Sequence, residues 1–478
     1  LLCWGQNANG QLGLGNTTDQ SSPVAVAFPN AGTVEKVADS GGFTHHNCAI
    51  MTNGSLYCWG MNNNGELGIG STTQQTTPQL VNLGSGVKAV DVSVGAAFTC
   101  AVTDAGALMC WGSNFYGKLG IGSTSSADYS TPQTVNLPTN RKAVDVGRLG
   151  RHFGYALLDN GEVVAWGRNH VAYLGTGNST TMYSPIVISL DSQRQVVSMS
   201  GGKHHGCIGY DNGSVVCAGR DNYGQQGDAS NNNDDLTFTY TDQLANHSVI
   251  ALAGQYTSCA LLANGTAQCW GQGNVGQMGD GTTGNNPYPD DLVNTPSGRF
   301  IVDMSMSGSH ACIVLDDGSV ACWGNNNKGQ LGLGNTTNQL QPVVLTGLDD
   351  LSTTSVHEML VDPANNDFRP KWGSHLHVLN AGAYDADDAD PWTAGVSWSY
   401  SPMSNPISGC MDSIAINYNS NAVFSDGSCI YTTLSSSSTT LSLEVGVSMT
   451  PHELTYSTPF LADDKQTAAS SGSVGAGT

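Results

Sequence analysis

Positive charge is scarce in this chain. Of 478 residues, 16 are Lys or Arg against 38 Asp or Glu, for a formal net charge of −22. Such a chain repels phosphate backbones and anionic headgroups, so neither a broad nucleic-acid-binding surface nor docking on anionic lipid is expected. No apolar run approaches the roughly 20 residues a membrane-spanning helix needs. No serine nucleophile elbow, HExxH pair or phosphate-binding glycine loop occurs, and no two carboxylates can be assigned to one cleft. An enzyme is therefore not expected. No secretory leader is visible, but the chain opens inside a motif at "LLCWG", so that absence does not point to the cytosol.

Glycine, by contrast, is abundant, with 60 residues, and it recurs in register. "CWG" or a relative places Trp4, Trp59, Trp111, Trp166, Ala218, Trp270 and Trp323 at intervals of 52 to 55 residues. A glycine-rich tail follows each, as in "GQLGLG" from Gly10, "GELGIG" from Gly65 and "GKLGIG" from Gly117, with weaker forms in repeats four to six. A proline-bearing apolar stretch such as "TPQLVNL" comes next, then an alternating run such as "VKAVDVSV". Period-two alternation with Asn-Gly punctuation predicts short strands and tight hairpins. Four strands per repeat, seven times over, predict an all-β, seven-bladed propeller of four-stranded blades over residues 1–347. The first blade is incomplete at its N-terminal side.

The order of "G-x-x-H", "W-G", "N-x-x-G-Q-L-G-x-G" and "x-P" resembles the regulator of chromosome condensation repeat, a family of seven-bladed propellers. The resemblance implies the fold. It assigns no function, because the fold is reused widely.

Ten cysteines fall in pairs ten residues apart: Cys48 and Cys58, Cys100 and Cys110, Cys207 and Cys217, Cys259 and Cys269, and Cys312 and Cys322. One member lies on the second strand of a repeat and one on the third, within disulfide reach across an antiparallel pair. In repeat four the equivalent positions are Tyr155 and Ala165, so both cysteines are missing together, as expected of a bond. The alternative is free cysteines packed as small hydrophobes. Disulfides in this number imply an extracellular or cell-surface location. Cys3 occupies a third-strand position with no partner, which leaves residues upstream of Leu1, a later strand or a neighbouring molecule to fill the gap. His45, His46, His152, His204, His205 and His310 recur near one repeat position, so they are spread round a ring instead of converging on an ion. The tryptophans likewise fit packing between blades. Asn16, Asn53, Asn178, Asn212, Asn246, Asn264 and Asn335 stand in Asn-x-Ser/Thr sequons, and serve equally as glycan acceptors or as turn formers.

Beyond residue 347 the repeat stops. Residues 348–408 read as an irregular connecting region, with Asp385, Asp387, Asp388 and Asp390 as a solvated acidic loop or a calcium site. "DFRP…GS…AGAYD" within it resembles the closing segment of secreted right-handed β-helix proteins. Residues 409–431 resemble a small module of secreted microbial proteins, which implies a bond between Cys410 and Cys429. Asp412, Asn417, Asn419, Asn421 and Asp426 supply hard oxygens there, so calcium is the one cofactor weighed, against a disulfide-stapled turn cluster. Residues 432–478 read as a Ser/Thr linker, a strand and a low-complexity tail. The strand alternates Leu441, Leu443, Val445, Val447 and Met449 on one face and resembles the opening of immunoglobulin-like repeats in giant secreted microbial proteins. With no sandwich around it, it is a self-association strand. The expected function is an extracellular structural or adhesive protein, displayed on a surface or built into a filament. The partners would be copies of itself, other cell-surface proteins or glycans. The alternative is a secreted propeller that inhibits a target enzyme.

Overall fold

The computed structural model describes residues 1–346 except 31, 41–44, 230–233, 242–243, 245–247, 255, 263, 291 and 297–298, with backbone only at 39–40 and 248–253. Beyond that it describes the backbone of short strands between 360 and 448.

The chain is all-β and folds as a propeller of four-stranded antiparallel blades. Repeat four is typical: Ala143–Val146, Phe153–Leu158, Val163–Gly167 and Met182–Val187 pair in chain order. Repeats two, three, five and seven have the same order, and repeat three gains the short parallel strand Asp39–Ser40 at its inner edge. Among the described residues five complete blades result, not the seven expected. Repeat six has three strands, because its outer segment pairs only at the bridges Gln268–Leu292 and Gly271–Asn286. Pro289 stands where the intact outer strands carry Pro78, Pro132, Pro185 and Pro342, so the departure in repeat six is Pro287, which has no N–H to continue a ladder. Repeat one consists of its third and outer strands, Leu2–Gly5 and Gln20–Ala25.

One contact recurs at every joint between repeats but that of repeats four and five. The indole Nε1 of Trp59, Trp111, Trp166, Trp270 and Trp323 donates to the tail carbonyl of Gln11, Glu66, Lys118, Gln225 and Gln277 in the preceding repeat, at 2.9–3.0 Å. Trp4 does the same to Gln330 at 3.0 Å, which docks the first repeat on the last. This explains the tail glycines. Gly68 has φ +71°, and a Cβ there would stand 2.6 Å from the Trp111 Nε1. Only glycine allows both the turn and the approach.

The histidines serve the same joints. The Nε2 of buried His46 lies 2.8 Å from Thr99 Oγ1, and that of His205 lies 2.9 Å from Ser258 Oγ. Those hydroxyls donate to the Glu66 and Gln225 carbonyls that also accept the tryptophans. Burial pushes both imidazoles down to about 3, so they are neutral structural groups.

All five ten-spaced disulfides form. Cys48 bonds to Cys58, Cys100 to Cys110, Cys207 to Cys217, Cys259 to Cys269 and Cys312 to Cys322, with Cα atoms 4.1–4.2 Å apart. In each case the two residues stand directly opposite on the second and third strands. The alternative of free cysteines packed as small hydrophobes therefore fails for these ten. Cys3 has no disulfide partner among the described residues, and burial pushes its thiol up to about 11. Repeat four shows why its pair is missing. Repeat five has Ala218 where the joint needs a tryptophan, and the buried Tyr155 hydroxyl donates instead to the Tyr173 carbonyl. Tyr155 reaches the next blade through a glycine opposite Ala218: a Cβ on Gly206 would stand 2.2 Å from its hydroxyl. The loss of tryptophan in one repeat and of cystine in the other is thus a single compensated change.

After the propeller, Leu360–Asp362 pairs with Asp367–Pro370. Thr440–Ser448, read from its alternation as a strand lacking partners, pairs in an antiparallel hairpin with Ile430–Ser437, Leu443 opposite Leu434. The stretch read as a linker therefore supplies a strand. Its Ser and Thr residues carry no apolar alternation, so the sequence does not mark it as a strand. Met449 lies outside the described residues, as do Asn246, the acidic run Asp385 to Asp390, Cys410, Cys429 and the five oxygen donors between the two cysteines. Among the described residues no helix is long and apolar enough to cross a membrane.

Candidate partner-binding face

A repeat fold fixes most residues by the needs of its joints, so departures from the repeat are where other constraints show. The sixteen cations depart strongly. Nine of them (Lys118, Arg141, Lys142, Arg148, Arg151, Arg168, Arg194, Lys203 and Arg220) lie within about a hundred residues in repeats three to five.

Two positions per repeat face each other at one end of each blade, where the third strand ends and the second begins. The residue after the third strand donates its N–H to the carbonyl just before the second strand: Met61 to His45, Ser113 to Ala97, Arg168 to His152, Arg220 to His204, Gln272 to Tyr256 and Asn325 to Ser309, at 2.8–3.0 Å. Repeats four and five alone put a cation there, Arg168 and Arg220. They also put a cation two residues before the second strand, Arg151 and Lys203, where other repeats carry Thr44, Ala96, Gln255 and Gly308. Four cations thus share one end of two adjacent blades.

Aromatic rings hold this patch in place. The Arg168 guanidinium lies 4.2 Å from the Tyr116 ring centroid and the Lys203 amine 4.5 Å from that of Tyr256. Such stacking is worth roughly 0.5–2 kcal/mol and orients the charge without neutralising it. Tyr116 packs on His152 at 5.8 Å, and a second group of rings joins His170 to His204 at 5.3 Å, His204 to Tyr256 at 6.3 Å and Tyr256 to Tyr223 at 5.1 Å. Burial and then the surrounding cations push His152 and His204 down to about 3. Both are neutral at pH 7. None of the ion pairs among the described residues involves Arg168, Lys203 or Arg220. Two carboxylates near this face are Asp128, which accepts from Asn64 Nδ2, and Asp234, which accepts the Asp221 N–H.

Among the described residues no group of three or more His, Cys, Asp or Glu is gathered to hold a metal ion. The six described sequon asparagines form turns. Asn16, Asn53, Asn178, Asn212, Asn264 and Asn335 each accept the N–H two residues on, at 2.8–3.2 Å. Sequence reasoning missed the basic face, because net charge hides a local excess. The signal that reveals it is a charge tally by repeat position.

The model of the regulator of chromosome condensation (RCC1) repeat matches residues 1–45, 53–102, 105–155, 264–314 and 317–357, and a second model of that repeat matches 89–118, 250–277 and 301–330. Together they cover more than half of the chain. The chain belongs to this repeat family. The ultraviolet-B receptor UVR8 of Arabidopsis thaliana is 26% identical over 371 residues, covering 76% of this chain and 82% of that protein. The human E3 ubiquitin-protein ligase HERC2 is 28% identical over 349 residues, but the chain spans 6% of its length. Among solved structures, human WBSCR16 superposes with TM-score 0.64 at 18% identity, covering 72% of this chain and 94% of that one. Prp20p of Saccharomyces cerevisiae, described with its binding to Gsp1p and histones, gives 0.63 at 20%, covering 73% and 86%. These structural likenesses show the RCC1-repeat fold alone. No matched range of either family model falls within residues 156–249, the span that carries Arg168, Lys203 and Arg220.

Proposed function

We propose that the protein is a binding module, not an enzyme, and that it docks an acidic partner protein on the basic, aromatic-lined end of repeats four and five. The observation that carries this reading is the placement of Arg151, Arg168, Lys203 and Arg220 at equivalent positions of two neighbouring blades, on a chain of net charge −22. Elsewhere the charge repels acidic partners, so the face is selective in orientation as well as in partner. Protein partners fit the family: Prp20p is described with Gsp1p and histones, and Kap60 with yeast RCC1.

The setting we propose is an oxidising compartment, on the strength of five disulfides in the propeller. Display at a cell surface or in a filament, and inhibition of a target enzyme, are two uses of the same docking act. The proposed ring has seven positions, the first completed by strands beside Leu2–Gly5; the Trp4–Gln330 bond supports that count. The test is binding of Asp/Glu-rich peptides to the native chain as salt is raised. Affinity should fall steeply between about 50 mM and 500 mM salt, as the screening length shrinks. The combined Arg168→Glu, Lys203→Glu and Arg220→Glu variant should not bind. Salt-independent binding, or binding retained by the variant, would overturn the reading.

A further inference from the structure

The residue after the first glycine of each tail, or after Ala172 in repeat four, is Gln11, Glu66, Lys118, Tyr173, Gln225, Gln277 and Gln330 in turn. In five of them the side-chain oxygen accepts the N–H two residues earlier, from Asn9, Asn64, Tyr223, Val275 or Lys328, at 2.7–2.9 Å. An ammonium has no lone pair to do this. Lys118 turns away, and its Nζ donates to the Ala96 carbonyl at 2.7 Å while lying 5.5 Å from the Phe98 ring centroid. It is 3% exposed. The loop beside it also departs from the repeat, with Tyr116 at φ +66° and Phe115 48% exposed.

Lys118 lines a cleft of about 420 Å³, together with Met61, Phe115, Asp128, Arg151 and His152. Two cations and one carboxylate line the space, and that carboxylate accepts from Asn64 Nδ2 at 2.8 Å. The Nδ1 of His152 is buried with no hydrogen-bond partner. A buried polar atom without a partner is costly unless a ligand or water meets it. Phe115 and Met61 give the cleft an apolar wall.

We propose that this cleft is a carboxylate-binding pocket, taking an organic acid whose carboxylate meets Lys118, Arg151 and His152 and whose apolar part lies against Phe115. A neutral His152 with its proton on Nδ1 donates to one carboxylate oxygen, and the cations meet the other, so no covalent step is involved. The carboxylate comes either from a free small acid or from an acidic side chain of a docked protein. The pocket does not depend on partner docking, since a free acid suffices.

Calorimetry on the full chain separates these sources. The probes are 3-phenylpropionate, its neutral isostere 3-phenylpropionamide, and a short Phe-Glu peptide with blocked ends. The acid should bind at least tenfold more tightly than the amide, and Lys118→Met should lose at least tenfold. Arg151→Gln should weaken binding in the same direction and serves should Lys118→Met fail to fold. Binding of the peptide alone, lost in either variant, would assign the carboxylate to a partner's side chain. Equal binding of acid and amide, or no binding by either carboxylate probe, would overturn the proposal.

Discussion

Lys118 gives a prediction whose size and sign both follow from its surroundings. Burial holds its amine down, from 10.5 to about 8, with Asp128 and Glu66 opposing and Arg151 adding to the effect. The unfolded chain carries this proton up to about pH 10.5, whereas the folded chain sheds it near pH 8. Between those values the unfolded state binds more protons, so stability rises with pH across the window. Below pH 8 the folded protein bears the full cost of a buried charge. At about 1.4 kcal/mol per pH unit, that cost is roughly 3 kcal/mol. Lys118→Met removes the charge and keeps most of the stem, so it should be the more stable protein at pH 7 by up to that amount. The advantage should shrink as pH approaches 10.5. Urea unfolding of both proteins at pH 7, 9 and 10.5 reads the difference directly, and other groups titrating in this range cancel in the subtraction. A gap that is constant with pH, or a variant less stable at pH 7, would refute the reasoning. A carboxylate seated beside Lys118 should narrow the gap in wild type, which connects this measurement to the pocket.

Two further outcomes follow from the joints between blades. Replacing Cys100 and Cys110 by Ser opens the loop closed by the disulfide in repeat three and should cost about 2–3 kcal/mol in chemical denaturation, with the other four propeller disulfides still found by mass mapping without reduction. Ala218→Trp alone should destabilise by about 1–3 kcal/mol, because Tyr155 already fills the space; adding Tyr155→Cys and Ala165→Cys should recover most of that loss, and simple additivity would show the two changes to be unrelated.

The periodic part of the fold was legible in the sequence because a propeller joint imposes the same demand at every turn. The tail glycines, the tryptophans and the ten-spaced cysteines each mark one contact that recurs between repeats. What periodicity conceals is the exception. The exchange of Tyr155 for cysteine and Ala218 for tryptophan is two unrelated losses until the structure places both side chains in one space. The outer segment of repeat six carried its warning in Pro287, one proline more than the outer strands of repeats two, three, four and seven carry, which repeat spacing alone overrides. The strand Thr440–Ser448 was found by its alternation, but its partner Ile430–Ser437 was not, since Ser and Thr do not mark a buried face. The basic face escaped for a similar reason: a total charge of −22 says nothing about where sixteen cations sit.

The docking face is tested most directly by comparing two triple charge reversals placed at opposite ends of the same blades. Arg168, Lys203 and Arg220 lie at the end where second strands begin, whereas Arg141, Lys142 and Arg194 precede the first strands, beside the end where second strands finish. Each variant changes the net charge equally, so long-range repulsion is matched. With an acidic peptide as the probe, reversal of the first set should weaken binding at least a hundredfold and reversal of the second less than threefold. Equal losses in the two variants would contradict docking on this face.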